Sequence, residues 1–217
     1  MKHPESSHTP AKLEAAVDRL VEIIDLMRKN VADENYPVWK NIPLAREMRD
    51  ILRDIPPAKG EYIDATGIVV CCDSIFQEEL LPRRDCPRLC LDFLKIRQQA
   101  QENRTAEDEQ FAPGCFLDPQ EEEDIRKKLE SYIDPSISME AWMESAGAHL
   151  KFDPVERSER WEEIIYEVEK ECDRRLKGEP RGMGFCFAYW PVKKAVLAKY
   201  GIDWHSPSTM NPRVMFD

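Results

Sequence analysis

Glycine is scarce in this sequence, with 8 in 217 residues, and histidine is scarcer still at 4. The glycines form no Walker-type G-x-x-x-x-G-K-[ST] loop. Gly182-Met183-Gly184 lacks the third glycine of G-x-G-x-x-G, because Phe187 stands in its place. The backbone cradle of a nucleotide-binding loop is therefore missing, which leaves only a two-glycine turn beside Arg181 as a small anion nest. The Glu-x-x-His spacing that a di-iron helical bundle needs occurs only at Glu5-Ser6-Ser7-His8, in a polar lead-in, so that chemistry drops out. Long apolar runs are absent too. The longest uncharged stretch worth testing, residues 183–192, is broken by Pro191 and falls far short of the ~20 residues of a spanning helix. Residues 1–12 hold no apolar core of a secretory signal. The expectation is a soluble, cytoplasmic protein with no membrane partner.

Hydrophobic residues make up 42% and charged residues 34%, with a mean hydropathy of −0.58, the balance of a globular protein. The formal net charge of −11 would repel a phosphate backbone, so nucleic acid is not expected as a partner. Seven cysteines are present: Cys71, Cys72, Cys86, Cys90, Cys115, Cys172 and Cys186. An odd number, mostly inside apolar helical patterns, fits reduced buried thiols better than a disulfide framework.

Helical periodicity dominates. Leu13, Ala16, Val17, Leu20, Ile24 and Met27 share one helical face after a Thr9-Pro10 start, and Leu44, Met48, Ile51, Leu52 and Ile55 share another, ended by Pro56-Pro57. Residues 68–72 have strand composition. With no partner strand in view they read as helix within 61–82. Residues 88–101 are apolar on several sides, as in a central helix. Asp118-Pro119 and Asp153-Pro154 each predict a helix start, the second running through Trp161, Ile165, Val168 and Cys172 to Gly178, with a shorter helix over 139–150 between them. The paired carboxylates Glu162 and Glu163 read as solvated surface.

The predicted fold is mainly α, an irregular bundle of six to eight helices with an extended, aromatic-rich C-terminal strap docked on it. Its parts are a flexible lead-in over 1–9, a first helical sub-bundle over 10–101, an acidic loop over 102–117, a second sub-bundle over 118–200 and a docked tail over 201–217.

Residues 181–217 stand apart. They carry a formal +3 against −14 for the preceding 180 residues, and they hold Phe185, Phe187, Tyr189, Trp190, Tyr200, Trp204 and Phe216. A helix is expected over about 191–200, stopped by Gly201, with Ser206-Pro207 and Asn211-Pro212 barring its continuation. Trp204, Met210, Val214, Met215 and Phe216 would each forfeit roughly 1.5–3 kcal/mol if left in water, so the tail should dock on its own bundle or on a partner. Interface cores favour these residue types. Phe185, Phe187, Tyr189, Trp190, Trp204, Met215 and Phe216 are therefore the candidate contacts with a protein partner or a second copy of the chain.

Two other chemistries have candidate residues. Cys186 with His205, oriented by Asp203 or His149, could form a thiol–imidazole pair. Cys86 could sit in the first turn of a helix capped by Asp85, near Arg83, Arg84 and Arg88, where its thiol would be activated. Cys71, Cys72, Cys86 and Cys90 could close a metal site, although C-x3-C spacing equally suits buried core positions. No cofactor is implied. The reading that needs least is a protein-binding or regulatory module, with a small cysteine-dependent enzyme and a metal-binding module as alternatives.

Overall fold

The computed structural model describes residues 10–55, 65–103 and 116–216. The lead-in over 1–9, Pro56-Pro57, residues 61–64 and most of the 102–117 loop, with Cys115, lie outside the described residues. Among those described are nine α-helices and no strand. They are α1 (Pro10–Ala32), α2 (Asn41–Asp54), α3 (Ala65–Gln77), α4 (Pro87–Glu102), α5 (Pro119–Ile133), α6 (Met139–Ala146), α7 (Glu159–Arg175), α8 (Phe185–Lys199) and α9 (Pro207–Met210). The fold is mainly α. The helix count passes eight because α9 is a single extra turn. Contacts divide the chain into two units, Met1–Leu81 with Leu89–Glu122, and Pro82–Arg88 with Glu123–Asp217.

In the first unit α1 packs on α2 through Leu20, Ile23 and Met27 and through Ile42, Ala45, Met48 and Leu52, all buried. Asn41, fully buried, donates to the carbonyls of Met27 (3.1 Å) and Leu80 (2.9 Å) and accepts from Asn30 (2.7 Å). One amide side chain thus satisfies backbone groups that burial would otherwise orphan. The stretch with strand composition is the apolar helix α3, whose Ile68, Val69, Cys72, Ile75 and Phe76 are buried. Asp73, on the same helix, has 0% exposure and meets Arg97, at 5%. Arg97 Nε donates to Asp73 Oδ1 at 2.5 Å, its other nitrogens reach Glu122 and the Leu117 carbonyl, and the Leu117 amide donates to Asp73 Oδ2 at 2.9 Å. Buried charges of this kind are tolerated only when their hydrogen-bonding capacity is filled.

The second unit contains an aromatic cluster of Tyr132, Trp142 and Phe152 with Met139. Tyr132 stands edge-on to Trp142 (5.1 Å) and stacks on Phe152 (5.6 Å). The C-terminus of α5 is closed by Arg157, whose guanidinium donates to the carbonyls of Ser131, Tyr132, Asp134 and Ile137. A cation there satisfies free carbonyls and opposes the negative helix end. Helix α6 stops at Gly147, four residues ahead of the expected boundary, in the left-handed conformation (φ 65°) that favours glycine.

Two expected boundaries are corrected. Asp153-Pro154 starts only a 3-10 turn, Pro154–Arg157, and Ser158 caps α7 by accepting from the Trp161 amide at 3.1 Å. Helix α8 begins at Phe185, not near Pro191, which it carries in its interior. The helix before Gly201 does not continue through Ser206-Pro207, and that pair opens the separate short α9, with Ser206 accepting from the Thr209 amide. Among the described residues no helix is long and apolar enough to cross a membrane.

Removing the Asp73 carboxylate leaves the Arg97 charge and the Leu117 amide short of a partner in a dry setting. Asp73→Ala should cost about 3–5 kcal/mol of stability in urea unfolding. Glu22→Ala, which deletes an exposed partner of Arg19, should stay within roughly 0.5 kcal/mol.

Candidate functional site

Within the second unit the loop before α4, the 3-10 turn, α8 and the segment after it enclose a pocket of about 300 Å³. Its lining includes Arg84, Asp85, Phe152, Glu156, Tyr189, Trp190, Lys193 and Trp204. Helical spacing places Tyr189 and Lys193 one turn apart on a single face of α8, while α7 presents Trp161 and, eight residues on, Glu169.

Lys193 lies at the centre, with 8% exposure. Its Nζ donates to Glu169 Oε1 at 2.7 Å and stands 5.0, 5.5 and 5.6 Å from the ring centroids of Trp161, Tyr189 and Trp204. Three electron-rich faces and one carboxylate replace the water that this ammonium loses. Burial works against its charge, but Tyr189, Glu169 and Asp85 outweigh it and hold Lys193 well above the ordinary lysine value. Tyr189 donates its hydroxyl proton to Glu169, and burial together with that carboxylate pushes the phenol well up.

Two further carboxylates face the pocket. Trp161 Nε1 donates to Asp85 Oδ1 at 2.8 Å, and Trp204 Nε1 donates to Glu156 Oε1 at 2.8 Å. Burial raises both acids from their usual values; the Glu169 charge adds to the shift of Asp85, and the Asp85 charge adds to that of Glu156. Arg84 lies 3.4 Å from Glu156 and stacks over the Phe152 ring at 4.1 Å. Perturbed titratable groups and aromatic walls around a concavity are the usual marks of a binding site.

The segment after α8 is fastened to the same unit. Gly201 takes φ 75° and Ile202 donates its amide to Leu197 at 3.1 Å, turning the chain back. Trp204 is buried at 2% exposure. Asp153 Oδ2 accepts from the His205 amide (2.7 Å) and lies 2.8 Å from His205 Nδ1. Asn211 binds both the amide and the carbonyl of Lys151.

A second aromatic feature runs along α8 and shares Trp190 with the pocket. Phe187 meets Trp190 edge-on at 5.6 Å, and Trp190 meets Phe216 edge-on at 5.2 Å. Phe187 is 55% exposed, while Met183 and Met215 are each 92% exposed. Docking of the tail thus extends to Trp204 and Asn211, whereas Val214 and Met215 remain in solvent. Phe185 stacks on Tyr189 at 6.1 Å beneath the Arg181 guanidinium.

The candidate partner contacts therefore fall into two groups. Tyr189, Trp190 and Trp204 line the pocket, and Phe187, Trp190 and Phe216 form the ring series. Cys186 is half-buried on α8, and His205 is oriented by Asp153, not by Asp203 (which pairs with Lys194) or His149. Asp85 does not cap α4. That helix starts at Pro87, Asp85 holds the Trp161 indole, and Cys86 is fully buried beside the helix start. Glu162 is not surface. It is buried and accepts from the Arg88 amide at 3.1 Å in the first turn of α4. Cys71 and Cys72 lie on α3 and Cys90 on α4, and among the described residues no group of three or more His, Cys, Asp or Glu is arranged to hold a metal. Periodicity in the sequence does not single out Lys193, Glu156 and Glu169. Their signal there is faint: a lysine one turn after a tyrosine in an aromatic helix.

Burial pushes the Cys71 thiol up to about 11 and the Cys172 thiol up to about 12. Iodoacetamide at neutral pH should leave both unlabelled in the native protein and modify them only after unfolding, as read by mass spectrometry. Asp85→Asn should gain stability relative to the parent as pH rises from below the ordinary carboxylate value of 3.8. The parent must keep a buried charge there, beside Lys193, Glu169 and Arg84, and the amide does not. Urea midpoints across pH 3–7 read the difference. Comparison with protein-family models, with curated proteins and with solved structures finds no match to this chain.

Proposed function

We propose that this chain is a protein-binding module that contacts its partner with the aromatic outer face of α8 and the residues following Asn211. The observation that carries the reading is the ring series Phe187–Trp190–Phe216, flanked in sequence by Met183 and Met215 at 92% exposure. Protein surfaces rarely leave aromatic and methionine side chains grouped in water, and interface cores favour them. The fastened stretch from Ile202 to Asn211 supports the same reading, because it presents Phe216 against Trp190 from an ordered base. A net charge of −11 argues against nucleic acid as the partner. Cys71, Cys72 and Cys172 are free thiols, which suits a reducing compartment such as the cytosol.

The test compares the parent with the double variant Phe187→Glu, Met215→Glu. Both should fold alike, with melting temperatures within a few degrees. Affinity capture and sedimentation should show a saturable complex, with a specific protein or a second copy, that the double variant weakens by at least tenfold, about 1.4 kcal/mol. Equal complex formation by both proteins, or none by either, contradicts the assignment.

A further inference from the structure

We propose that the pocket around Lys193 is a site for an amino-acid-like zwitterion, an apolar body carrying one ammonium and one carboxylate group. Size comes first. At about 300 Å³ the cavity stands at the lower end of small-molecule sites, which run to roughly 1,000 Å³, so it suits a single amino acid and not a nucleotide. Its walls set the body of the ligand, with Phe152, Trp190, Trp204 and Leu150 offering apolar and aromatic surface.

Charge then sets the ends. Arg84, Lys151 and Lys193 line the pocket with Asp85 and Glu156, and Glu169 is bonded directly to Lys193, so cations and carboxylates balance. Lys193 is buried, whereas Arg84 and Lys151 are exposed, and a ligand that brings one charge of each sign keeps the balance among these groups. The open valences also have both signs. An ammonium has three protons to donate, and Lys193 spends one on Glu169. Asp85 Oδ1 is taken by the Trp161 indole, while Oδ2 receives no hydrogen bond from any described residue. A carboxylate on the ligand meets the Lys193 donors, and its ammonium meets Asp85 Oδ2. Burial holds Asp85 and Glu156 above their ordinary values, a burden that an incoming ammonium relieves.

The site shares Trp190 with the partner surface but does not depend on that reading. The test is calorimetric titration of the full chain with L-leucine and L-phenylalanine, then with N-acetyl-L-phenylalanine, L-phenylalanine methyl ester and 3-phenylpropanoate. The zwitterions should bind saturably, and each derivative lacking one charge should bind at least tenfold more weakly. Asp85→Asn should weaken L-phenylalanine about tenfold and leave 3-phenylpropanoate unchanged, which assigns the ammonium end. Phe187→Glu should bind L-phenylalanine as the parent does, so a failed partner surface would not disturb this result. Absence of saturable binding up to ~10 mM overturns the proposal. So does equal binding of the single-charge derivatives, which would mark an apolar cavity only.

Discussion

One buried ammonium organises the second unit. Lys193 gives up nearly all of its water, and an isolated lysine would sooner lose its proton than do so. Glu169 at 2.7 Å and the faces of Trp161, Tyr189 and Trp204 make the charged state tolerable. The same requirement fixes the register of α7 against α8, since Trp161 and Glu169 come from one helix and Tyr189 and Lys193 from the other. It also fixes the segment after α8, because the third ring, Trp204, must return to the same point. Gly201, Asp153 and Asn211 provide the turn and the fastenings that bring it there.

Two buried charge networks among the described residues differ in what they leave over. In the first unit, Arg97 is met by Asp73, Glu122 and the Leu117 carbonyl, and both Asp73 oxygens are occupied. That network is closed, and its business is stability. In the second unit the carboxylates and the ammonium border a cavity and retain unused donors and acceptors. An open network beside aromatic walls is costly to maintain unless something occupies it.

The sequence announces this fold through periodicity. Apolar spacing locates α1, α2, α4 and α7, and the lack of any partner strand decides correctly for α3 despite its β-branched residues. Boundaries were less legible where two rules compete. Proline predicts a helix start near 191, yet α8 begins at Phe185 and carries Pro191 in its interior, with Phe185 stacked on Tyr189. Asp153-Pro154 has a capping signature, but the Asp153 carboxylate also holds His205, and Ser158 starts the longer helix. The C-terminal aromatics stood out by type alone. Lys193, Glu156 and Glu169 did not, because a charged residue on an amphipathic helix looks solvated until the opposing element is known. Glu162 misled for the same reason. What periodicity cannot report is which polar residue faces inward, since that depends on contacts far apart in the chain.

The most direct measurement is the titration of Lys193 Nζ by nitrogen-15 NMR, assigned with a Lys193→Met control. The account predicts an ammonium that stays protonated beyond the ordinary lysine value of 10.5, with its neighbouring methylene protons shifted upfield by the surrounding rings. A lysine that titrates at or below that value, with methylene shifts like those of an exposed side chain, would contradict the caged charge on which the pocket is built.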